Sequence, residues 1–276
     1  MNNSAAPRYQ GRLQAAILDW AGTTVDFGCQ APVVVLLEIF AARNVPITVA
    51  EARRSMGLLK KDQIRAICSS PEVQERWRQR YGNPPGETEV EALFADFIPR
   101  QLSCLAKHSD LIPGAAAAVA RFRERGMKIG STTGYTRPML QMLLDQAGAQ
   151  GYLPDSAVCP DDVGGGRPLP WMCYQNAINL KVFPLQACVK IGDTVSDVQE
   201  GLNAGMWTVG VVATGNEIGL TQEEFRVLDP VDRQLRMGQA RERLTSAGAH
   251  YIIDCVADCD AVLDDIEARL CAGETP

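Results

Sequence analysis

Histidine is nearly absent from this chain of 276 residues: His108 and His250 are the only two. Neither completes a ligand set with Cys255 and Cys259, which stand four apart with aspartates nearby, so a zinc site is not expected. The nine cysteines are odd in number and scattered, without a CxxC pair. That argues against a disulfide framework and fits reduced cytosolic thiols. No run of about 18 apolar residues occurs, and the opening residues lack an apolar stretch behind their positive charges, so neither a membrane span nor secretion is expected. A basic excess is missing too. With a net charge of −6 there is no electrostatic reason to expect nucleic acid or an anionic membrane as partner. Internal repeats and low-complexity tracts are also lacking. What the chain does have is 46% apolar residues, enough to bury a core domain with a smaller companion.

Short apolar runs that end in polar residues carry the organisation. LQAAILDW, residues 13–20, reads as a buried parallel strand opening onto a loop. Similar runs begin at Met127 (MKIGSTTG), Ala157 (AVCP) and Cys188 (CVKIGD), and WTVGVVA from Trp207 adds a further strand. Helical stretches lie between them: 114–125 closed by Gly126, 137–147 closed by Gly148, and 171–180. This alternation predicts an α/β fold with a doubly wound, Rossmann-like parallel sheet.

Residues 30–107 interrupt that alternation with several helical patterns and no convincing strand. A helix is expected over 31–43, and Thr48 with Glu51 has capping-box spacing. Ser70 reads as an N-cap before Pro71, and GETEVEALFADFIPRQL opens another helix after a proline and glycine turn. An all-helical cap at 28–107, inserted into a core of 1–27 and 108–276, is the simplest reading. The tail from Val231 predicts a helix, a short strand HYIID and a last helix from near Val256, and the GGG at 164–166 must be a loop.

Parallel α/β sheets bind ligands at the carboxyl ends of their strands. Asp19 ends the first strand, Thr133 the second, Arg167 follows the third in GRPLP, and Asp193 with Asp197 ends the fourth in IGDTVSD. In order, these supply a nucleophilic carboxylate, a hydroxyl donor, a fixed cation and two acids able to hold magnesium. A phosphorus centre attacked by a carboxylate must have its charge neutralised, or the two anions repel. Magnesium between Asp19 and Asp193 does this, while Arg167 and Thr133 bind the remaining oxygens of the pentacoordinate state. Singly, each residue has an ordinary explanation: a strand-end acid or helix cap for Asp19, caps for Asp193 and Asp197, a turn hydroxyl for Thr133, a surface charge for Arg167. The ordered set is what points to chemistry.

DWAGTT at 19, the STTG threonine, GRP at 166 and GDTVSD at 192 resemble the four motifs of the haloacid dehalogenase superfamily of aspartate-nucleophile phosphatases. One position departs. The superfamily usually carries a second aspartate two residues after the nucleophile, as acid for the leaving oxygen, and here that position is Ala21. A phosphate-ester phosphatase or phosphomutase would lose its proton donor. Lys60, in MGLLKKDQ within the cap, offers another way to activate a leaving group. A lysine in an apolar pocket has a depressed pKa and attacks a carbonyl as the free amine. An imine beside a C–P bond then lets carbon depart as an enamine, with no acid required.

AGTTVDFGC, MGLLK, GSTTGYTR, GRPLPWMCY and GDTVSDVQEGLNAGMWTVGV together resemble the phosphonatase family of that superfamily over nearly the whole chain. The resemblance implies hydrolysis of phosphonoacetaldehyde to acetaldehyde and phosphate by a cytoplasmic, magnesium-dependent homodimer. It implies Asp19 as nucleophile and Lys60 as Schiff-base former, with Asp19, Asp193 and the Ala21 carbonyl as metal ligands. Thr133 and Arg167 hold the phosphonyl oxygens, Asp197 supports the metal site, Met56 and Gly57 belong to the substrate loop of the cap, and Cys29 and Tyr135 lie close by. Gln63 stands where the family is expected to carry histidine. Three residues along a helix from Lys60, a glutamine can hydrogen-bond but cannot shuttle a proton. Lys61 is expected to point away from Lys60, as adjacent helix residues do. A non-catalytic sensing relative is disfavoured by the intact Asp19, Lys60, Arg167 and Asp193.

Overall fold

The computed structural model describes residues 9–276, so the first eight residues of the expected core segment lie outside the described residues. Strand β1 (Ala15–Leu18) is buried along its whole length. Ala15 and Ile17 pack with Cys173, Leu180 and Met206 on one face, and Ala16 and Leu18 join Ala115, Val119 and Leu263 on the other. Burial on both faces explains why the strand reads as a continuous apolar run and not as an alternation.

Six helices follow before the chain returns to the sheet: α1 (Ala31–Ala42), α2 (Val49–Arg53), α3 (Lys60–Cys68), α4 (Pro71–Tyr81), α5 (Glu87–Leu105) and α6 (Ala115–Glu124). Helix α5 packs against both α1 and α3, burying Leu36, Ile39, Ile64, Leu93 and Phe97. Helix α6 packs instead on the sheet, against β2 (Lys128–Thr132). Then come α7 (Arg137–Ala149), β3 (Ser156–Val158), α8 (Pro160–Val163), α9 (Trp171–Leu180), β4 (Cys188–Gly192), α10 (Val195–Asn203) and β5 (Trp207–Val211). The chain ends with α11 (Gln222–Val227), α12 (Pro230–Ser246), β6 (Tyr251–Ile253) and α13 (Asp260–Cys271).

The six strands run in the order β3-β2-β1-β4-β5-β6, every neighbouring pair parallel. Connections go one way from β1 to β2 and β3, and the other way from β4 onward. The crevice therefore opens at the carboxyl ends of β1 and β4, where Asp19 and Asp193 follow. Among the described residues no helix is long and apolar enough to cross a membrane.

Local expectations hold in part. The Thr48 and Glu51 box forms, Glu51 N donating to Thr48 Oγ1 at 3.2 Å and Thr48 N to Glu51 Oε2 at 2.7 Å. Ser70 takes the N-cap position of α4 with Pro71 opening the helix, as expected, but its side chain makes no capping hydrogen bond. Its hydroxyl donates backward to Ile67 O at 2.9 Å, serving one of the free carbonyls that end α3. Gly148 does not stop α7, which runs to Ala149 before the chain turns at Gly151 with φ +93°. The last helix begins at Asp260, after a single 3-10 turn over Val256–Asp258.

Candidate active site

Asp19 follows the last residue of β1, and its backbone N–H donates to Ile191 O of β4 at 2.9 Å, which fixes the carboxylate at the mouth of the crevice. Asp193 follows Gly192 at the end of β4. Its Oδ2 accepts from the Asn216 backbone N–H at 2.7 Å. Asp197 is not at the strand end but three residues into α10, where it completes a capping box with Thr194. Its Oδ2 accepts from the Thr194 hydroxyl at 2.6 Å and its Oδ1 from Lys190 Nζ at 2.5 Å.

Oxygens of Asp19, Asp193 and Asp197 all lie within 4.8 Å of one another, and all three residues are buried. Burial and the neighbouring Asp19 and Asp197 push the Asp193 carboxyl well above the usual range. Three crowded, buried hard oxygen donors are the right chemistry for a divalent cation. Asp197 differs from the other two. Burial works against its charge, but Arg167 and Lys190 outweigh that and hold its pKa low, so its oxygens are already matched by protein cations.

Arg167 carries the positive side of the site. It is buried, donating Nη2 to Asp19 Oδ1 at 2.6 Å and to Thr132 Oγ1 at 2.8 Å, and Nε to Glu200 Oε2 at 2.9 Å. Burial opposes the guanidinium charge, yet Asp19, Asp197 and Glu200 more than offset it and raise its pKa well above the ordinary value. Thr133 Oγ1 accepts from the Tyr135 N–H at 3.2 Å, which leaves the hydroxyl proton to donate to a bound oxygen.

The remaining wall is brought by the helical insertion. Ser196 Oγ donates to Met56 O at 3.3 Å, pressing the loop ahead of α3 onto the core. Gly57 has φ +87°, and a Cβ there would meet Thr194 Oγ1 at 2.4 Å, while a Cβ on Gly134 would meet Leu58 O at 2.4 Å. Both backbones approach too closely for any side chain. Lys60 then opens α3 pointing inward: it is 4% exposed, its Nζ lies 5.0 Å from the Tyr135 ring centre, and it donates to Gln63 Oε1 at 3.0 Å. Burial pulls its pKa down to about 8, against the opposing pull of Cys29 and Asp19. Roughly a tenth of it is then free amine at neutral pH. Lys61 faces outward to Glu91 and Glu87.

Asp19, Ala21, Cys29, Met56, Gly57, Lys60, Thr133, Tyr135 and Arg167 all line one small cavity of ≈ 20 Å³. Asp193 and Asp197 stand beside it in the carboxylate cluster, and neither lines its wall. Sequence reasoning missed Glu200, Lys190, Thr132 and Arg53. Two of these left a signal: Lys190 is a charge inside the apolar run of β4, and Glu200 lies three residues from Asp197, on the same helix face. Arg53 left none. From α2 it donates Nη1 to Gly28 O at 2.8 Å and to Asn216 Oδ1 at 3.1 Å, and Nη2 to Gly219 O at 3.0 Å.

Residues 13–205 match the family described as haloacid dehalogenase-like hydrolase. The chain is 49% identical over 268 residues to a phosphonoacetaldehyde hydrolase of Syntrophobacter fumaroxidans, covering 97% of both chains. It is 46% identical to the phosphonoacetaldehyde hydrolase of Bacillus cereus, covering 94% of this chain and 98% of that one. A crystal structure of a phosphonoacetaldehyde hydrolase like protein from Oleispira antarctica superposes with a TM-score of 0.96 at 40% identity, covering 99% of both chains. This chain belongs to the phosphonoacetaldehyde hydrolase family. Its helical insertion and six-stranded sheet are thus those of the haloacid dehalogenase superfamily, and its buried aspartate cluster falls within the matched segment.

Proposed function

We propose that this chain cleaves the C–P bond of phosphonoacetaldehyde by a lysine imine and an aspartyl-phosphate, releasing acetaldehyde and phosphate. The observation that carries this reading is the buried amine of Lys60 in the same cavity as Asp19, Thr133 and Arg167. A plain ester phosphatase has no use for such an amine, and it would need the acid that Ala21 lacks.

The residues divide the work as follows. Lys60, as free amine, adds to the aldehyde and expels water, forming an imine. Thr133 and Arg167 hold the phosphonyl oxygens so that an Asp19 oxygen faces phosphorus in line with the C–P bond. As the Asp19 oxygen bonds to phosphorus, the C–P bond breaks and its electron pair moves into the imine, whose nitrogen carries a proton and so becomes the neutral nitrogen of an enamine. Protonation at carbon restores an imine, water releases acetaldehyde and frees Lys60, and a second water cleaves the aspartyl-phosphate to regenerate Asp19. Magnesium held by Asp19, Asp193 and the Ala21 carbonyl, when bound, neutralises charge on the phosphorus oxygens. Asp197 keeps Lys190 and Arg167 in place beside that site. Cys29, Met56, Gly57 and Tyr135 wall off the aldehyde and exclude water.

The same reading takes 28–107 as the cap and 1–27 with 108–276 as the core, in a cytoplasmic homodimer. The decisive experiment is borohydride reduction in the presence of phosphonoacetaldehyde, followed by peptide mass mapping. An adduct on Lys60 is expected, with no inactivation by borohydride alone. An adduct on Lys61, or none, sinks the imine mechanism.

A further inference from the structure

Glu200 is wholly buried in α10 and does not reach the cavity wall. Among the described residues, every hydrogen bond and ion pair of its side chain falls on one oxygen. Oε2 accepts from Arg167 Nε at 2.9 Å and from the Thr132 hydroxyl at 2.9 Å, and lies 3.6 Å from Lys190 Nζ. Oε1 has no hydrogen-bond partner among the described residues. Leaving a buried carboxylate oxygen without a donor is costly, so whatever the acid contributes comes through the single engaged atom.

Thr132 closes a ring around that atom, because its Oγ1 also accepts from Arg167 Nη2 at 2.8 Å. The guanidinium is therefore held at two points of its plane, Nε and Nη2, and cannot rotate about its terminal bonds without breaking both. Lys190 is less dependent on Glu200, since Asp197 Oδ1 stands closer to it at 2.5 Å.

We infer that Glu200 is a positioning residue: with Thr132 it locks the plane of Arg167, so that the guanidinium meets the phosphorus oxygens in one fixed orientation. This rests on the proposed function in taking Arg167 as the group that holds those oxygens. Orientation fixed before the reaction is what makes such a donor effective as charge develops. Glu200 touches neither substrate nor Lys60, so its removal acts on the phosphorus end of the site and leaves imine formation intact.

The test compares the parent with Glu200→Ala, Glu200→Gln and Thr132→Val, measuring turnover, inhibition by inorganic phosphate and the yield of the borohydride adduct on Lys60. Glu200→Ala is expected to lose about 100-fold in kcat/KM, the scale of lost outer-layer support, and to bind phosphate about tenfold more weakly. Its Lys60 adduct should stay near the parental yield. Glu200→Gln keeps an oxygen for Arg167 Nε and should recover most of both losses. Should Glu200→Ala fail to fold, Thr132→Val, which removes the other half of the lock, must show the weakened phosphate inhibition with the adduct retained. Parental phosphate inhibition in the folded variants, an adduct lost in step with turnover, or a glutamine variant as impaired as the alanine one would each overturn the inference. A parent that forms no Lys60 adduct sinks the imine reading alone, and phosphate inhibition still decides the role of Glu200.

Discussion

Lys60 Nζ stands 3.0 Å from Gln63 Oε1 on the next turn of α3, and the amide nitrogen of Gln63 is tied in turn to Ala52 O at 3.2 Å. The amine is thus held by an acceptor that serves both of its protonation states and does not itself titrate. Proton balance on the acid side then falls to Lys60, whose pKa is pulled down to about 8. We expect kcat/KM to rise about tenfold per pH unit below that value and to level off above it. Gln63→His adds a group that ionises near neutrality and should reshape the acid limb at a comparable maximal rate. A parental profile flat from pH 6 to 8 would contradict the assignment.

The same burial makes Lys60 a stability liability with a definite pH dependence. Its folded value of about 8 lies below the ordinary 10.5, so below pH 8 the unfolded chain binds a proton that the folded chain holds only at a cost. That cost shrinks as pH rises from 8 toward 10.5, where both states become neutral. Lys60→Met should therefore abolish turnover and raise stability by up to about 3 kcal/mol at pH 6.5, with a much smaller gain at pH 10. Urea unfolding at the two pH values checks it, and an equal gain at both would be the wrong result.

Much of this was legible in the chain because strand ends and chemistry coincide. Asp19, Thr133, Arg167 and Asp193 each follow an apolar run, and a parallel sheet gathers such positions at one edge. Lys60 was legible for a different reason: Ala21 lacks the acid that a P–O leaving group needs. What stayed hidden was whatever depends on contacts between distant segments. Nothing in the sequence links Arg53 to the carbonyls of Gly28 and Gly219, or Glu200 to Arg167. At the start of α4 the cap position was legible but the partner of its hydroxyl was not. The Ser70 hydroxyl had two acceptable uses, and the free carbonyl of Ile67 took it.

Asp19 and Asp193 should separate the nucleophile from the metal site. Asp19→Ala is expected to abolish phosphate release at any magnesium concentration, because no other carboxylate lines the cavity. Asp193→Ala should also be inactive at low magnesium and bind the metal far more weakly, a loss read by calorimetry with the metal alone. Circular dichroism checks the fold of each. Turnover of Asp19→Ala within tenfold of the parent, an arbitrary but generous margin of about 1.4 kcal/mol, would remove Asp19 as nucleophile.

Arg53 offers a test of how the insertion is held over the core. Its fork joins α2 to acceptors at Gly28, Asn216 and Gly219, and lysine cannot reproduce those contacts from one point charge. Arg53→Lys should lower kcat/KM by roughly 10- to 100-fold through misplacement of Lys60, with little change in overall secondary structure. Lys60 should also become more reactive toward an amine-acylating reagent as the pocket opens. Unchanged labelling together with parental turnover would show that Arg53 does not hold the cavity closed.

Ala21 carries the last prediction, because it is where this chain departs from an ester-cleaving design. It lines the cavity beside Asp19, so an aspartate there would stand where a leaving oxygen needs its proton. The carbon leaving group of phosphonoacetaldehyde needs none, since the imine nitrogen takes the electron pair. Ala21→Asp should therefore leave C–P cleavage no faster, and slower if the added charge crowds Asp19, Asp193 and Asp197. On an alkyl phosphate monoester, whose alkoxide does require protonation, the same variant should show a trace of activity that the parent lacks. Phosphate release from both substrates, measured side by side, decides the matter. A large rise in C–P cleavage on Ala21→Asp would mean that leaving-group protonation had been limiting, and that Lys60 does not activate the carbon as an imine.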